Sequence, residues 1–272
     1  MINLQPVKEF RFPVMADCIT PNAFRGKTRE EIEDLEVWEG NQQRRLGDLF
    51  KIKETGQEEK KTAIALHGDL SKVKRIGARM TAGNIVIEGD VGMHLGEEMR
   101  GGKITVHGDA GGWAGSMMRK GIIEIHGDAG HYLGSSYRGS DRGMRGGKII
   151  VHGNVGKEAG AYMRGGLIKI YGDADDFLGL RMRKGTIYVR KNCGDRVGAR
   201  MKKGKIIIEG SLKSILPTFT IDSIKKKAKI EENEKIEGPF YRFLGDLTEN
   251  GRGRLYVHKE NNSQLARYEQ YL

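Results

Sequence analysis

The sequence predicts an all-β chain, a right-handed parallel β-helix of about seven to eight 19-residue coils with a nonrepeating cap at each end. Three observations predict it. A unit reading roughly x-Ile-x-Ile-x-Gly-Asp-x-Gly-x-x-x-Gly-x-x-Met-Arg-x-Gly recurs over residues 83–204, its copies beginning at Asn84, Lys103, Ile122, Lys148, Leu167 and Thr186. A worn copy precedes them (66–83) and a truncated one follows (205–210). Within each copy the apolar residues alternate, as in Ile85/Ile87, Ile104/Val106, Ile123/Ile125, Ile149/Val151, Ile168/Ile170, Ile187/Val189 and Ile206/Ile208. Finally Met80, Met99, Met118, Met144, Met163, Met182 and Met201 recur in one register, three residues after a repeat glycine once the insertion before Met144 is removed.

Period-two alternation of β-branched side chains marks a strand with one buried face. A coil that returns to its start must turn sharply, and glycine supplies the positive-φ corners. Stacked coils rise ~4.8 Å each, so the block forms a rod roughly 35 Å long. The right hand follows from the chirality of parallel connections. The methionines form an internal column, where an unbranched thioether fills irregular space. Leucine-rich repeats of similar length require a Leu-x-x-Leu-x-Leu pattern that is absent.

The expected domains are an N-terminal cap or partner-contact segment (1–61), the β-helix (62–210) and a C-terminal cap or partner-contact segment (211–272). Open ends of a solenoid leave unpaired strand edges, which caps cover. In the first segment Thr28-Arg29-Glu30-Glu31 forms a capping box that starts a short helix expected to end near Trp38-Glu39-Gly40. The last segment leaves the repeat through Pro217, crosses a charged stretch (225–237) and closes with Arg254-Leu255-Tyr256-Val257-His258.

Composition excludes several classes. No apolar stretch reaches the ~20 residues that span a bilayer, and residues 1–12 lack the apolar core of a signal peptide. The two cysteines, Cys18 and Cys193, form no CxxC pair, and a reducing, cytoplasmic setting is expected. Gly26-Lys27-Thr28 resembles a phosphate-loop ending, but Pro21 stands where that loop needs glycine. The Gly-Asp-x-Gly-x-x-x-Gly runs lack the βαβ unit of a dinucleotide site and read as corners. Asp69, Asp90, Asp109, Asp128 and Asp173, with Asn154 and Asn192 substituting, lack the second carboxylate of a calcium column, and each is expected to accept N–H bonds at its own corner. His107, His126 and His152 share an outward slot with Glu88, Tyr171, Arg190 and Glu209, so no metal is expected there. No catalytic or cofactor-binding constellation is visible.

Two features depart from pure scaffold. Seven extra residues, Tyr137-Arg138-Gly139-Ser140-Asp141-Arg142-Gly143, interrupt the third full copy. In a solenoid such an insertion becomes a loop on one face, either a binding element or a solvated excursion. A cation also follows each repeat methionine (Arg100, Arg119, Arg145, Arg164, Arg183 and Lys202) in a chain of net charge +11. That ridge is compatible with an acidic protein partner, with phosphates or with a solvated face. The interleaved aromatics or groove-entering helix of nucleic-acid readers are not visible. Tyr137, Arg138, Asp141 and Arg142 and the ridge cations are therefore the candidate partner contacts.

The repeat, with Met-Arg-Gly-Gly closing the coil, resembles the GXGXG domain at the C-terminal end of the large glutamate synthase subunit. Outside the repeat, Phe12-Pro13-Val14-Met15-Ala16-Asp17-Cys18-Ile19-Thr20-Pro21-Asn22, Gly26-Lys27-Thr28, Val37-Trp38-Glu39-Gly40-Asn41, Leu46-Gly47-Asp48-Leu49-Phe50 and Pro239-Phe240-Tyr241-Arg242-Phe243-Leu244-Gly245-Asp246 resemble the C-subunit of the formylmethanofuran dehydrogenases. This resemblance covers nearly the whole chain. It implies a cytoplasmic archaeal complex, an oxidoreductase that fixes CO2 as formylmethanofuran in the first step of methanogenesis. It implies a tungsten- or molybdenum-pterin site, iron–sulfur clusters and an amidohydrolase-like metal centre on sister subunits, with ferredoxin-like subunits among the partners and no catalytic residue here. The glutamate synthase resemblance implies instead a spacer in an amidotransferase/synthase complex.

Overall fold

A computed structural model of the chain describes residues 1–54 and 63–272. The expected boundary at 61/62 lies outside the described residues. Strand outweighs helix, 39% to 9%, and most of it joins one mixed sheet of 13 strands. The N-terminal segment holds β1 (Ile2–Pro6), β2 (Val14–Met15), α1 (Pro21–Phe24), α2 (Arg29–Glu33), β3 (Glu36–Glu39), β4 (Gln42–Arg45), α3 (Leu46–Leu49) and β5 (Phe50–Glu54). The repeats supply β6 (Ala63–Leu66), β7 (Val73–Lys74), β8 (Asn84–Ile87), β9 (Arg100–Val106), β10 (Lys120–Ile125), β11 (Lys148–Val151), β12 (Arg164–Ile170), β13 (Lys184–Val189) and β14 (Lys205–Ile208). The chain ends with β15 (Thr220–Glu231), β16 (Glu234–Gly245) and β17 (Gly253–His258).

From β6 through β8 to β14, consecutive neighbours pair in parallel, and the alternating residues match across every step: Ile85 beside Ile104, Ile104 beside Ile123, Ile123 beside Ile149. A second parallel row runs through single bridges from Leu70↔Val91 to Cys193↔Leu212. The aligned isoleucines and all seven repeat methionines are fully buried. Two glycine columns make this packing possible. At Gly115 (φ +64°) a Cβ would lie 2.4 Å from Ile149 Cδ1, two repeats on, and 3.3 Å from Ile123 Cδ1 of the next. At the corner Gly121 (φ +96°) it would meet the Gly102 carbonyl oxygen at 2.8 Å.

The Asp/Asn column binds differently from the expectation of own-corner bonds. Asp90 Oδ1 accepts the amide of Asp109 one repeat on (2.8 Å), Asp109 that of Asp128, Asp128 that of Asn154, and so on to Ser211 on Asn192. Only Asp69 bonds its own corner, at Ser71 N. Each carboxylate is thereby solvated by a neighbouring amide, which relieves the repulsion of stacked like charges. Asn154 and Asn192 thin that charge further.

The N-terminal segment departs from expectation as well. Thr28 caps α2 with a complete capping box, but the helix stops at Glu33. Val37 and Glu39 turn inward from a strand paired antiparallel with β2 and β4, leaving Trp38 on the exposed side. β-branched Val37 beside Trp38, closed by Gly40 at φ +62°, favours this hairpin over another helical turn. β1 lies between β6 and β5, and β17 lies on β14, so both flanks extend the main sheet.

The charged stretch belongs to a long antiparallel hairpin, β15–β16. The hairpin closes a second apolar cluster (Leu167, Tyr188, Ile207, Ala228, Ile230, Phe240, Tyr256) on the outer side of the sheet. Its tip is pinned by Glu231 between Lys148 and Lys169, each at 2.9 Å, which hold its carboxyl near a pKa of about 2. Lys169 also pairs with Glu234.

Candidate partner-contact surface

Each ridge cation follows a buried methionine at a corner, and strand alternation turns it out. Backbone bonds to the previous repeat fix the spacing: Arg100 N to Met80 O (2.8 Å), Arg119 N to Met99 O (2.8 Å) and Arg145 N to Met118 O (2.7 Å). The six cations are not electrostatically equivalent. Asp141 from the inserted loop bridges Arg164 (2.6 Å) and Arg183 (3.4 Å), and its carbonyl accepts from Arg164 Nε. Glu249 from the C-terminal segment takes Lys202 (3.5 Å) and Arg200 (2.8 Å), and Arg200 holds its carboxyl below the usual range. Arg100, Arg119 and Arg145 are exposed and have no carboxylate partner among the described residues.

The loop is closed at its base, where Met144 N returns to Gly134 O (2.9 Å) and Gly143 N bonds Tyr162 O (3.1 Å). Ser140 turns it, accepting from Arg142 N (3.2 Å). Arg138 and Arg142 are exposed, and Arg142 stands 4.0 Å from Asp141. Tyr137 folds back to stack on His94 (5.4 Å between centroids), which itself stacks on Trp113 (5.3 Å), and Trp113 on Tyr132 (4.4 Å). His94, Trp113 and Tyr132 occupy one slot of successive repeats at φ +64°, +60° and +65°. Amide bonds to the next repeat, such as Trp113 N to His131 O (2.8 Å), hold that strained conformation. Sequence reasoning missed this ladder, because its slot carries no repeated residue type. A cleft of about 360 Å³ lies among Trp113, Tyr132, Tyr137, Arg138, Glu158 and Tyr162.

Beside the ladder Glu97 is buried with Arg75 at 3.4 Å and His94 at 3.6 Å. Burial raises the Glu97 pKa, while burial and then the Arg75 and Lys74 charges push His94 down to about 4. His94 is therefore neutral near pH 7, which suits a ring stacked between two aromatics.

His107, His126 and His152 are exposed and stacked at 4.9 and 4.8 Å. Glu124, which the repeat pattern does not single out, joins His126 and His152, their potential ligand atoms lying within 4.8 Å of one another. Lys103 already occupies that carboxylate at 2.9 Å, and His152 lies at 3.4 Å. A cation bound there would share the carboxylate with an ammonium. The thiols are poor nucleophiles: burial pushes Cys18 up to about 12 and raises Cys193 further. No helix of the described residues is long and apolar enough to cross a membrane.

No family model matches the chain. It is 47% identical over 259 residues, 93% of this chain and 94% of the relative, to the C-subunit of the tungsten-containing formylmethanofuran dehydrogenase 2 of Methanococcus maripaludis. It is 46% identical over 93 residues to the C-subunit of the molybdenum-containing formylmethanofuran dehydrogenase 1 of Methanothermobacter marburgensis. That match spans 34% of this chain and only 23% of the relative's length. Among solved structures, a chain of the formyltransferase/hydrolase complex FhcABCD from Methylorubrum extorquens, crystallised with methylofuran, superposes with a TM-score of 0.84 at 30% identity, covering 94% of this chain and 99% of that one.

Proposed function

This chain belongs to the C-subunit family of the formylmethanofuran dehydrogenases, and from that premise we propose that it is a non-catalytic structural subunit of a formylmethanofuran dehydrogenase complex. The complex is an oxidoreductase that fixes CO2 reductively as formylmethanofuran, in the cytoplasm. The names of the relatives carry molybdenum and tungsten, and the metal-pterin belongs on a sister subunit together with the iron–sulfur clusters and the amidohydrolase-like metal centre. The observation that carries the reading is identity extending over both nonrepeating flanks as well as the repeats. The weakly nucleophilic thiols of Cys18 and Cys193 and the Glu124 carboxylate shared with Lys103 support placing the chemistry elsewhere.

In this reading the parallel repeat stack is a right-handed β-helix (62–210), with segments 1–61 and 211–272 covering its ends. β1 and β17 on the terminal repeat strands support that division. The loop residues Tyr137, Arg138, Asp141 and Arg142 and the ridge face partner subunits, and the membership of a relative in a formyltransferase/hydrolase complex supports such an assembly. The test is purification from the native source at mild salt, with mass spectrometry of every co-purifying chain and metal analysis of both the complex and this chain in isolation. Partners bearing tungsten or molybdenum, with none on this chain, are expected. A chain that runs alone overturns the proposal, and glutamine-dependent glutamate formation by the co-purified chains transfers it to the glutamate synthase type.

A further inference from the structure

Among the described residues the ridge divides into a half that the chain neutralises itself and a half left open. Asp141 serves Arg164 and Arg183, and Glu249 serves Lys202. At the opposite end the slot holds Thr81, whose amide and hydroxyl are bonded by Asn22. Between them Arg100, Arg119 and Arg145 stand on consecutive repeats without a carboxylate among the described residues. Their strands are neighbours ~4.8 Å apart, well inside a Debye length of about 8 Å, so solvent ions screen their mutual repulsion only in part. Their corner backbones are hydrogen-bonded to the preceding repeat, so the points from which the cations project are fixed before anything binds.

We infer that Arg100, Arg119 and Arg145 form a dock for an acidic segment of a partner protein, whose carboxylates bridge successive arginines as Asp141 bridges Arg164 and Arg183. The chain itself exhibits the binding mode: one aspartate on an irregular loop reaches two arginines of adjacent repeats, at 2.6 and 3.4 Å. An acidic peptide repeats that geometry along the next three positions. Single-stranded nucleic acid requires ring faces for its bases, and the rings of the adjoining loop region, His94, Trp113, Tyr132 and Tyr137, spend theirs on one another. The inference rests on the scaffold reading above and adds the partner's chemistry to it.

The test uses the intact co-purified complex. In the Arg100→Gln/Arg119→Gln/Arg145→Gln variant, this chain is expected to dissociate from its partners about tenfold more readily, at lower NaCl; tenfold is about 1.4 kcal/mol, within the range for the loss of three exposed ion pairs. Circular dichroism should confirm unchanged folding, since all three side chains are exposed. In parallel, an Arg119→Lys complex treated with a carbodiimide should yield a cross-link from residue 119 to an Asp or Glu of another chain. Salt-independent retention of the triple variant overturns the dock while leaving the scaffold reading intact. Cross-links confined to this chain, or loss of oligonucleotide binding with assembly unaffected, overturn it equally. Absence of any co-purifying partner instead overturns the scaffold reading.

Discussion

The pitch of the ridge depends on the corner glycines, and one substitution pair tests that directly. Gly121 follows Arg119-Lys120 and sits at φ +96°; Gly139, in the inserted loop, sits at φ +83°. Alanine at either position carries the left-handed backbone cost of roughly 1–2 kcal/mol. The two differ in surroundings. A Cβ at Gly139 meets nothing within 4 Å, whereas at Gly121 it meets the Gly102 carbonyl oxygen and Met99 Cε, both at 2.8 Å. The methionine can swing aside, but the carbonyl belongs to the preceding corner of the stack and cannot move alone. Overpacking of this kind costs a further 1–3 kcal/mol or so. Gly121→Ala should therefore lose about 2–5 kcal/mol in total, and Gly139→Ala about 1–2. Urea unfolding followed by circular dichroism and by tryptophan fluorescence measures both, and coincident curves are required because stacked repeats can unfold in parts. Equal losses in the two variants would mean that the Gly102 carbonyl does not approach residue 121, and the close stacking inferred for the repeats would fall with it.

Met118 is fully buried, so Met118→Ala should cost about 2–5 kcal/mol and Met118→Leu under ~1.5, read from the same unfolding curves. Asp141→Asn should cost less than about 1 kcal/mol, because the bridge is half exposed, yet should speed hydrogen exchange in residues 137–143; unchanged exchange would show that the bridge does not hold the loop. The depressed pKa of His94 gives stability a pH dependence. Between pH 6.5 and about 4 the unfolded chain takes up a proton that folded His94 refuses, so stability falls on acidification through that window. The loss reaches roughly 3 kcal/mol at most, and Glu97, whose raised pKa favours the folded state on acidification, offsets part of it. His94→Asn, which tolerates the left-handed backbone, should flatten the slope measured between pH 4.5 and 6.5; an unchanged slope assigns it to other groups.

The repeat strands and the methionine column were legible because burial imposes the same residue type at the same slot in every repeat. The Asp/Asn column was legible as structural but not in direction. A side chain at a corner can serve its own turn or the next repeat, and both uses need the same residue. The ladder of His94, Trp113 and Tyr132 escaped because its slot holds Arg75, Glu158, Phe177 and Arg196 in other repeats. Nor could spacing place Tyr137 on His94, since that contact depends on where the loop returns. The hairpin β15–β16 was hidden by lysines and by three register shifts, which break the alternation that announces a strand. Helix α2 was overestimated for the opposite reason. A correct capping box marks where a helix starts and says little about how far it runs.

Elements outside the repeat decide how the charge of the ridge is distributed. Asp141, Glu231 and Glu249 all lie outside the repeat pattern, and each meets its cations through a fold-back that no periodicity encodes. They consume the positive charge of Arg164, Arg183, Lys148, Lys169, Arg200 and Lys202. Among the described residues no such element returns to Arg100, Arg119 and Arg145, which stay exposed. A solvated ridge alone gives no reason for that division. A dock does, because a partner's carboxylates would relieve the mutual repulsion of cations that project from adjacent repeats at positions fixed by backbone hydrogen bonds.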